Sequence, residues 1–288
     1  MAPLLTRRRF LSTAVAVGVC AAGIKGGRAA PALRPPPPEW PLIDYHVHLD
    51  NSTIEKIVAL GAELGVMFGI VEHAGTKLND YPVVLSNDAE LKAYLKMLDG
   101  QPVFKGLQAE WTDWRGCFSD TMLAQVDFVL SDAMTFPGPD GRRQKLWLPG
   151  VEIGDAPTFM DRFTDWHVHV MAVGPIDILA HPTWLPAPIA DRYDELWTEA
   201  RMRKIVDAAV RYGVAIELSA AKQVPRLPFL RMAKAAGAKF SFGSNGRYPQ
   251  MGRIDYALAM ARELKLQAGD LFTPAPPGRK LFQIRKFA

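Results

Sequence analysis

From residue 41 onward, the chain alternates short apolar runs with segments whose apolar side chains recur every three to four positions. Short apolar runs are typical of buried β-strands, and the three-to-four spacing is typical of one face of an α-helix. Ile54, Ile57 and Leu64 have the helical spacing, and Ser52 with Glu55 predicts a capping box where this helix begins. Strands are predicted at 42–49, 66–71, 103–109, 127–130, 177–180, 214–218 and 239–242.

One junction, a helical segment followed by glycine and then by a strand, occurs three times. Gly65, Gly213 and Gly237 each stand between a helical stripe and an apolar run, the position at which glycine commonly ends a helix. This repetition is typical of βα units that build a parallel sheet. The composition does not change between the two halves of this region, so we expect one β/α barrel rather than two domains. A doubly wound sheet is the alternative fold.

The positive charge of the chain is concentrated at its N-terminus. The whole chain has a net charge of +4, but five of its 34 basic residues and none of its 30 acidic residues lie within residues 1–32, so the remainder carries −1. A body with this balance is not expected to bind nucleic acid. No stretch reaches the roughly 18–20 uninterrupted apolar residues that a membrane span needs, so no stable membrane span is expected.

The N-terminal segment resembles a twin-arginine export signal. The sequence RRRFL begins at Arg7, a modestly apolar run follows to Ile24, and an Ala-Pro-Ala cleavage site ends at Ala32. We therefore assign residues 1–32 to a signal peptide, 33–40 to a proline-rich linker and 41–288 to the barrel domain. The resemblance implies export of the folded protein by the twin-arginine machinery to the periplasm or elsewhere outside the cytoplasm.

The two cysteines of the chain restrict its chemistry. Cys20 lies in the predicted signal peptide, so the mature chain keeps only Cys117. An intramolecular disulfide and a cysteine-based zinc site are therefore excluded. A lipid anchor on Cys20 is the less favoured alternative to free export, because Val19 is bulkier than a lipidation motif prefers.

Polar side chains follow most of the predicted strands, at the point where each strand ends. In parallel β/α folds the loops at these ends converge on one face, where the chemistry takes place. Four of the six histidines of the chain are at such ends. The strand-end residues are Asp44, His46, His48, Glu72, His73, Glu110, Asp132, His181 and Asn245.

His46 and His48 are the first candidates for a metal site. Residues i and i+2 of a strand share a face, and neutral imidazole is the commonest metal ligand. Both imidazoles are therefore expected to bind one ion. Asp44, two residues before His46, is expected to orient one of the metal ligands without binding the metal itself. The alternative for each histidine is an ordinary packing or surface role.

The motifs DYHVHLD, GIVEHAG, DILAHP and FSFGSN, with a glutamate after the third strand, resemble in this order the PHP (polymerase and histidinol phosphatase) domain family. The resemblance runs from about residue 43 to 245, although DYHVHLD alone is shared with amidohydrolases. It implies an α/β fold, a distorted seven-stranded (β/α) barrel of the TIM-like kind in a single domain. It also implies a metal-dependent phosphoesterase that uses divalent ions such as Zn, Mn or Fe.

The family pattern implies a ligand set for these ions. His46, His48 and Glu110 would hold the first metal, and Glu110 would bridge to a second metal bound by His181. His73 matches a histidine that normally binds a third metal. Asp132 stands near a position where relatives often have a histidine, and it either serves as a ligand or caps the following loop.

The chain departs from the family in its last motif. Relatives usually have Asp-x-His where this chain has Asn245-Gly246-Arg247. Asn245 can offer its carbonyl oxygen to a metal but no charge, and Arg247 cannot bind a metal. Because Ile54 stands where a further histidine is expected, the third metal site is predicted to be lost and one or two ions remain. Arg247 is a candidate clamp for a substrate phosphate or carboxylate.

His167 and His169 form a second His-x-His pair, within a segment of helical spacing. On a helix, residues i and i+2 point in nearly opposite directions, so this pair cannot serve one site. His167 is expected to be packed, with a site role as the alternative, and His169 is expected to be solvated. Trp111, Trp114 and Trp184 are expected to anchor the core or loops rather than to line a pocket.

The function that these patterns favour is hydrolysis of a small phosphorylated substrate by a metal-activated water. Glu110 would hold the ions, and Arg247 would help to neutralise phosphoryl charge. An amidohydrolase-like enzyme that cleaves C–N or C–O bonds is one alternative. A barrel that has lost turnover and binds a ligand is the other.

Overall fold

Seven parallel strands close into a barrel in the described part of the chain. The structure is a computed structural model that describes residues 40–50 and 52–284. The barrel order is β1-β2-β3-β4-β7-β8-β9, and β5 and β6 form a separate hairpin. The strands are β1 (Ile43–Val47), β2 (Met67–Ala74), β3 (Val103–Ala109), β4 (Phe128–Ser131), β5 (Thr135–Pro137), β6 (Arg143–Lys145), β7 (Ile178–Leu179), β8 (Ala215–Ser219) and β9 (Phe240–Gly243).

Helices connect the strands and surround the barrel. The α-helices are α1 (Ile54–Leu64), α2 (Asp88–Met97), α3 (Asp120–Leu123), α4 (Ala156–Val173), α5 (Tyr193–Leu196), α6 (Glu199–Tyr212), α7 (Leu227–Ala235), α8 (Asp255–Glu263) and α9 (Leu281–Ile284). Short 3₁₀ helices lie at Lys77–Asn79, Trp114–Cys117, Ala187–Arg192 and Ala268–Asp270. Among residues 40–50 and 52–284, no helix combines the length and the apolar character that crossing a membrane requires.

The pairing of the first and last barrel strands distinguishes the two folds that the sequence left open. β1 pairs in parallel with β9, with Asp44 opposite Phe242. A doubly wound sheet stays open, and its first strand lies inside the sheet without pairing with the last strand. The predicted α/β barrel of TIM-like form is therefore confirmed, and the alternative is wrong.

Aromatic side chains fill the interior of the barrel. Tyr45 contacts Phe128 edge-to-face, with the ring centroids 5.2 Å apart. The ring of Phe128 lies over two glycines of neighbouring strands, and a Cβ added to Gly106 or Gly69 would stand 2.3 or 2.8 Å from it. The absence of side chains at these two positions therefore provides the space that this ring occupies.

Local signals placed the elements well, with one error at the start of α1. Gly65 and Gly213 end α1 and α6 in the left-handed conformation, with φ of 67° and 70°. The predicted capping box at Ser52 is wrong: Thr53 is the N-cap, and the buried hydroxyl of Ser52 has no hydrogen-bond partner among the described residues. The extended backbone of Thr53 moves the helix start one residue further along the chain.

The β5–β6 hairpin was not predicted from the sequence. Each of its strands has only three residues, so neither produces a recognisable run. Arg143 of β6 attaches the hairpin to the barrel, since it pairs with Asp113 at 2.6 Å and donates to Asn79 and Thr76. Its guanidinium also lies 5.2 Å from the ring centroid of Trp111.

The N-terminal assignments concern residues that the structure does not describe. The signal peptide at 1–32, with Cys20 and the export motif, and nearly all of the linker at 33–40 lie outside the described residues. Trp40 is the first described residue, and its ring contacts Phe242 of β9 at a centroid distance of 5.3 Å. The three-part division of the chain and its export remain predictions.

Candidate metal centre

Histidines and carboxylates gather at the carboxyl ends of the barrel strands in two groups of three. Within each group, one ligand atom from every residue lies within 4.8 Å of the others, and all six residues are buried. The strands deliver these side chains together because a closed parallel barrel brings all of its carboxyl ends to one rim. The first ligand group is His46, His181 and Glu217, and the second ligand group is His48, Glu72 and His73.

Glu217 of β8 organises the first ligand group. One of its carboxylate oxygens lies 2.7 Å from Nδ1 of His46, and the other accepts a hydrogen bond from the backbone N–H of His181 at 2.8 Å. Ser219 contacts Nδ1 of His181 through its hydroxyl at 2.7 Å. Burial opposes ionisation of Glu217, but His181 and His46 outweigh it and lower the pKa of the carboxyl. The group therefore holds an ionised carboxylate between two imidazoles.

The protonation preferences of the two imidazoles in this group differ. Burial alone would lower the pKa of His46, but Glu217 and Asp44 raise it above its ordinary value. Burial lowers the pKa of His181 to about 3, so this imidazole stays neutral. Neutral imidazole is the form that binds metals.

The second ligand group contains a histidine whose ring makes no hydrogen bond to the described residues. Both ring nitrogens of His48 are buried and have no partner among the described residues. Burial and the neighbouring His46 and Arg247 lower the pKa of His48 well below its ordinary value, so the ring is neutral. An unpaired polar group costs about 1–3 kcal/mol in a protein interior. A cation bound here would satisfy a ring nitrogen, so the residues fit a divalent metal.

His73 contacts two carboxylates, one through its ring and one through its backbone. Its Nδ1 lies 2.5 Å from Oε1 of Glu110, and its backbone N–H donates to Oε1 of Glu72 at 3.0 Å. A carboxylate behind an imidazole fixes the tautomer and orients the ring toward a metal. Tyr81 stacks on the other side of His73, with ring centroids 3.9 Å apart. The ring of His73 is therefore held firmly in place.

The ligand set that the family resemblance implies, with His46 and His48 binding one ion together with Glu110, remains a prediction. The ring centroids of His46 and His48 lie 5.4 Å apart, and the two histidines belong to different ligand groups. The register of β1 against β2 shifts between Asp44 and Val47. His48 lies beyond the last residue of β1, where its backbone N–H donates to Gly246.

Asp132 caps the loop after β4, which is one of the two roles that the sequence left open, and its role as a metal ligand remains a prediction. Its Oδ1 accepts from the backbone N–H of Met134 at 2.8 Å. Burial, and then the charge of Glu110, raises the pKa of Asp132 to about 7. This carboxyl is in neither ligand group.

Asp44 holds the loop after β9 against β1. It accepts hydrogen bonds from the backbone N–H groups of Ser244 and Gly252, at 2.9 and 3.0 Å, and from the hydroxyl of Ser244. Its Oδ1 also accepts from the backbone N–H of His46 at 3.2 Å. Asp44 thus fixes the backbone that carries His46, and its role in orienting a metal ligand remains a prediction.

Arg247 and Asn245 are joined to each other at the rim. Arg247 pairs with Asp50 through Nε at 2.5 Å and donates through NH1 to Oδ1 of Asn245 at 3.0 Å. Asn245 itself has a left-handed backbone, with φ of 47°. The side-chain oxygen that Asn245 was expected to offer to a metal therefore accepts from Arg247 in this structure.

Sequence reasoning assigned no role to Glu217 or Gln108, and it noted Glu72 without making it a ligand. Glu217 and Gln108 both contact His46, with Gln108 Oε1 at 3.1 Å from Nε2. A lone acidic residue in the apolar strand AIELS was the available signal for Glu217, since a carboxylate is rarely buried unless it is paired. No comparable signal existed for Gln108.

The second His-x-His pair lies on α4, as the spacing predicted. His167 is buried, and its Nδ1 lies 2.7 Å from the backbone oxygen of Phe163. Its aromatic neighbours are Phe163 and Trp197. His169 is exposed and stacks on Trp166. The expectation of a packed His167 and a solvated His169 is consistent with these positions.

Comparisons with known proteins support the fold. No family model matches the chain, and no curated protein matches it. Among solved structures, it is similar to the histidinol phosphate phosphatase of Lactococcus lactis subsp. lactis Il1403, determined in complex with zinc, L-histidinol and phosphate. The TM-score is 0.53 at 14% identity, over 82% of this chain and 97% of that chain. At this identity the likeness establishes the α/β barrel fold.

Proposed function

We propose that the protein is a metal-dependent phosphoesterase whose centre consists of the first and second ligand groups. The observation that carries this proposal is His48, a buried imidazole with two unpaired nitrogens that lies between the other histidines of the site. Imidazole with carboxylate is a donor set suited to Zn, Mn or Fe. Two groups of three donors support one or two ions.

A divalent ion bound there would lower the pKa of a water molecule and stabilise negative charge on phosphoryl oxygens. The residues of the chain have supporting roles. Glu217 orients His46 and His181, and Glu110 orients His73. Arg247, held by Asp50 and Asn245, presents a positive charge that acts on both His48 and Glu72. This position suits neutralisation of an incoming phosphoryl group.

Two further considerations support a phosphorylated substrate. The solved structure with the similar barrel is a phosphatase bound to zinc and phosphate, and the motif order resembles the PHP family to which we propose this chain belongs. We also propose that the protein acts outside the cytoplasm after twin-arginine export. In that case the protein would bind its ions in the cytoplasm, before export brings it into contact with the metals outside.

The proposal is tested by removing two histidines together. We expect His46→Ala with His48→Ala to leave a folded protein with little bound metal, and phosphoesterase activity reduced by at least about 100-fold. Metal content would be measured by elemental analysis after purification without chelator. His169→Ala is the matched control, since His169 is exposed on α4, and it should retain both metal and activity.

The same measurements distinguish the alternative functions. Bound metal with cleavage of amides or lactones, and none of phosphoesters, would indicate an amidohydrolase-like enzyme. A wild-type protein that binds no metal would contradict the proposal and favour a ligand-binding barrel.

A further inference from the structure

A cavity of about 1000 Å³ opens beside the second ligand group. Its walls are the segment after β1, the end of β2, the loop between β2 and α2, one side of α2, and Arg247. Glu72 and His73 belong both to this wall and to the second ligand group. Sites for whole small molecules have volumes of roughly 300–1000 Å³, far more than a phosphate group fills. The cavity therefore has room for the organic part of a substrate.

Much of the cavity wall is apolar. Leu49, Pro82 and Ala93 line it, together with Val83 and Met97. Val83 is 51% exposed and Met97 is 46% exposed, although both are large apolar side chains. Apolar surface left in contact with water beside a polar site favours an apolar ligand.

The charges that line the cavity are paired. Lys77 contacts Glu90 at 2.9 Å, and Arg247 contacts Asp50 at 2.5 Å. Glu72 is the remaining lining carboxylate, and it belongs to the second ligand group. Away from the candidate metal site, the described residues that line the cavity therefore leave no charge uncompensated, and a neutral ligand fits it best.

We infer that this cavity binds a neutral, apolar organic group esterified to the phosphate of the substrate. The inference rests on the proposed function, and it names the substrate class as phosphomonoesters of apolar alcohols or phenols. Water forms a bond to phosphorus and the bond between phosphorus and the ester oxygen breaks. The released alcohol takes a proton, and inorganic phosphate is the other product. Tyr81, stacked on His73, lines the cavity beside the second ligand group.

The test compares binding of two non-hydrolysable phosphonates to the zinc-loaded full chain by calorimetry. We expect (1-naphthylmethyl)phosphonate to bind at least about tenfold more tightly than methylphosphonate, because only the former buries an apolar ring. In the near-isosteric variant Val83→Thr with Met97→Gln, this ratio should fall toward one. The matched control is Val210→Thr with Met67→Gln, which changes exposed residues outside this cavity and should keep the wild-type ratio.

The outcomes separate this inference from the proposed function. A ratio near one in the wild type, or a ratio that the cavity variant leaves unchanged, overturns the inference. Turnover of phenyl phosphate and 2-naphthyl phosphate is measured in parallel. If both esters are hydrolysed while the binding ratio is near one, the proposed function stands and the cavity assignment falls. If neither ester is hydrolysed but the ratio depends on Val83 and Met97, the cavity binds apolar groups and the proposed function falls.

Discussion

A buried imidazole without hydrogen-bond partners destabilises a folded protein, and His48 has this environment on both ring nitrogens. Protonation does not relieve this cost, because burial keeps the pKa of His48 well below its ordinary value. The residue is therefore unfavourable for folding and favourable for binding a cation. Sites at which stability is sacrificed in this way are usually functional.

Because His48 is unfavourable for folding but favourable for binding a cation, replacing it should affect the free energy of unfolding differently without and with zinc. In the presence of chelator, His48→Leu should leave the free energy of unfolding unchanged or raise it by about 1–2 kcal/mol, because it removes an unpaired polar group. With zinc added, the variant should gain less stability than the wild type, since a ligand that binds only the folded state stabilises it. Urea unfolding with and without zinc measures both effects. Clear destabilisation of the variant in chelator would contradict this account.

His167 is a buried histidine of another kind, because it is hydrogen-bonded and lies in neither ligand group. Burial lowers its pKa to about 4 in the folded state, whereas an unfolded histidine has a pKa near 6.5. Between these values the unfolded chain binds the proton and the folded chain does not. This residue therefore favours folding fully above pH 6.5, and its contribution is lost as the pH falls from 6.5 to about 4.

We expect His167→Gln to reduce the acid sensitivity of the protein. The wild type should lose about 3 kcal/mol more of its unfolding free energy than the variant between pH 7 and pH 4. Denaturant unfolding at a series of pH values measures this difference. Identical pH dependence of the two proteins would show that His167 titrates alike in both states.

At the scale of elements, the packing of β9 against β8 positions the first ligand group. Gly243 ends β9, and a Cβ added to it would lie 1.8 Å from Oε1 of Glu217. The carboxylate therefore occupies the space that a side chain at residue 243 would need. The missing side chain allows Glu217 to reach both His46 and His181.

Gly243→Ala should displace Glu217 while the barrel remains closed. Loss of a carboxylate that orients metal ligands typically weakens metal binding about 10- to 100-fold, and we expect zinc affinity to fall within this range. Competition with a chromogenic chelator measures the affinity. Gly269→Ala is the control, because a Cβ there has no neighbour within 4 Å; equal zinc affinity in both variants would contradict the assigned role of Glu217.

At the scale of the whole molecule, the basic N-terminus and the nearly neutral remainder suggest different tasks for the two parts of the chain. We expect Arg7→Lys with Arg8→Lys to retain the protein inside the cytoplasm, because the twin-arginine pathway depends on the arginine pair. Cell fractionation with an antibody against the barrel measures the distribution. Arg28→Lys is the control that should be exported normally, and export of both variants alike would contradict this assignment.

Much of the architecture was predictable because it depends on local physical chemistry. Apolar runs such as 103–109 had to be buried, and glycines such as Gly65 could end helices in a conformation that other residues avoid. The position of His73 and His181 at strand ends followed from the same runs. Helix starts were harder, since Ser52 and Thr53 are both good capping residues.

The sequence alone thus determined a parallel α/β fold and the location of four histidines at strand ends. Only the tertiary structure decided which residues meet. His46 and Glu217 are 171 positions apart and touch because β1, β8 and β9 are brought together when the barrel closes. The cavity beside His73 likewise depends on how α2 packs against the barrel. Such contacts arise from long-range packing, which no short stretch of sequence encodes.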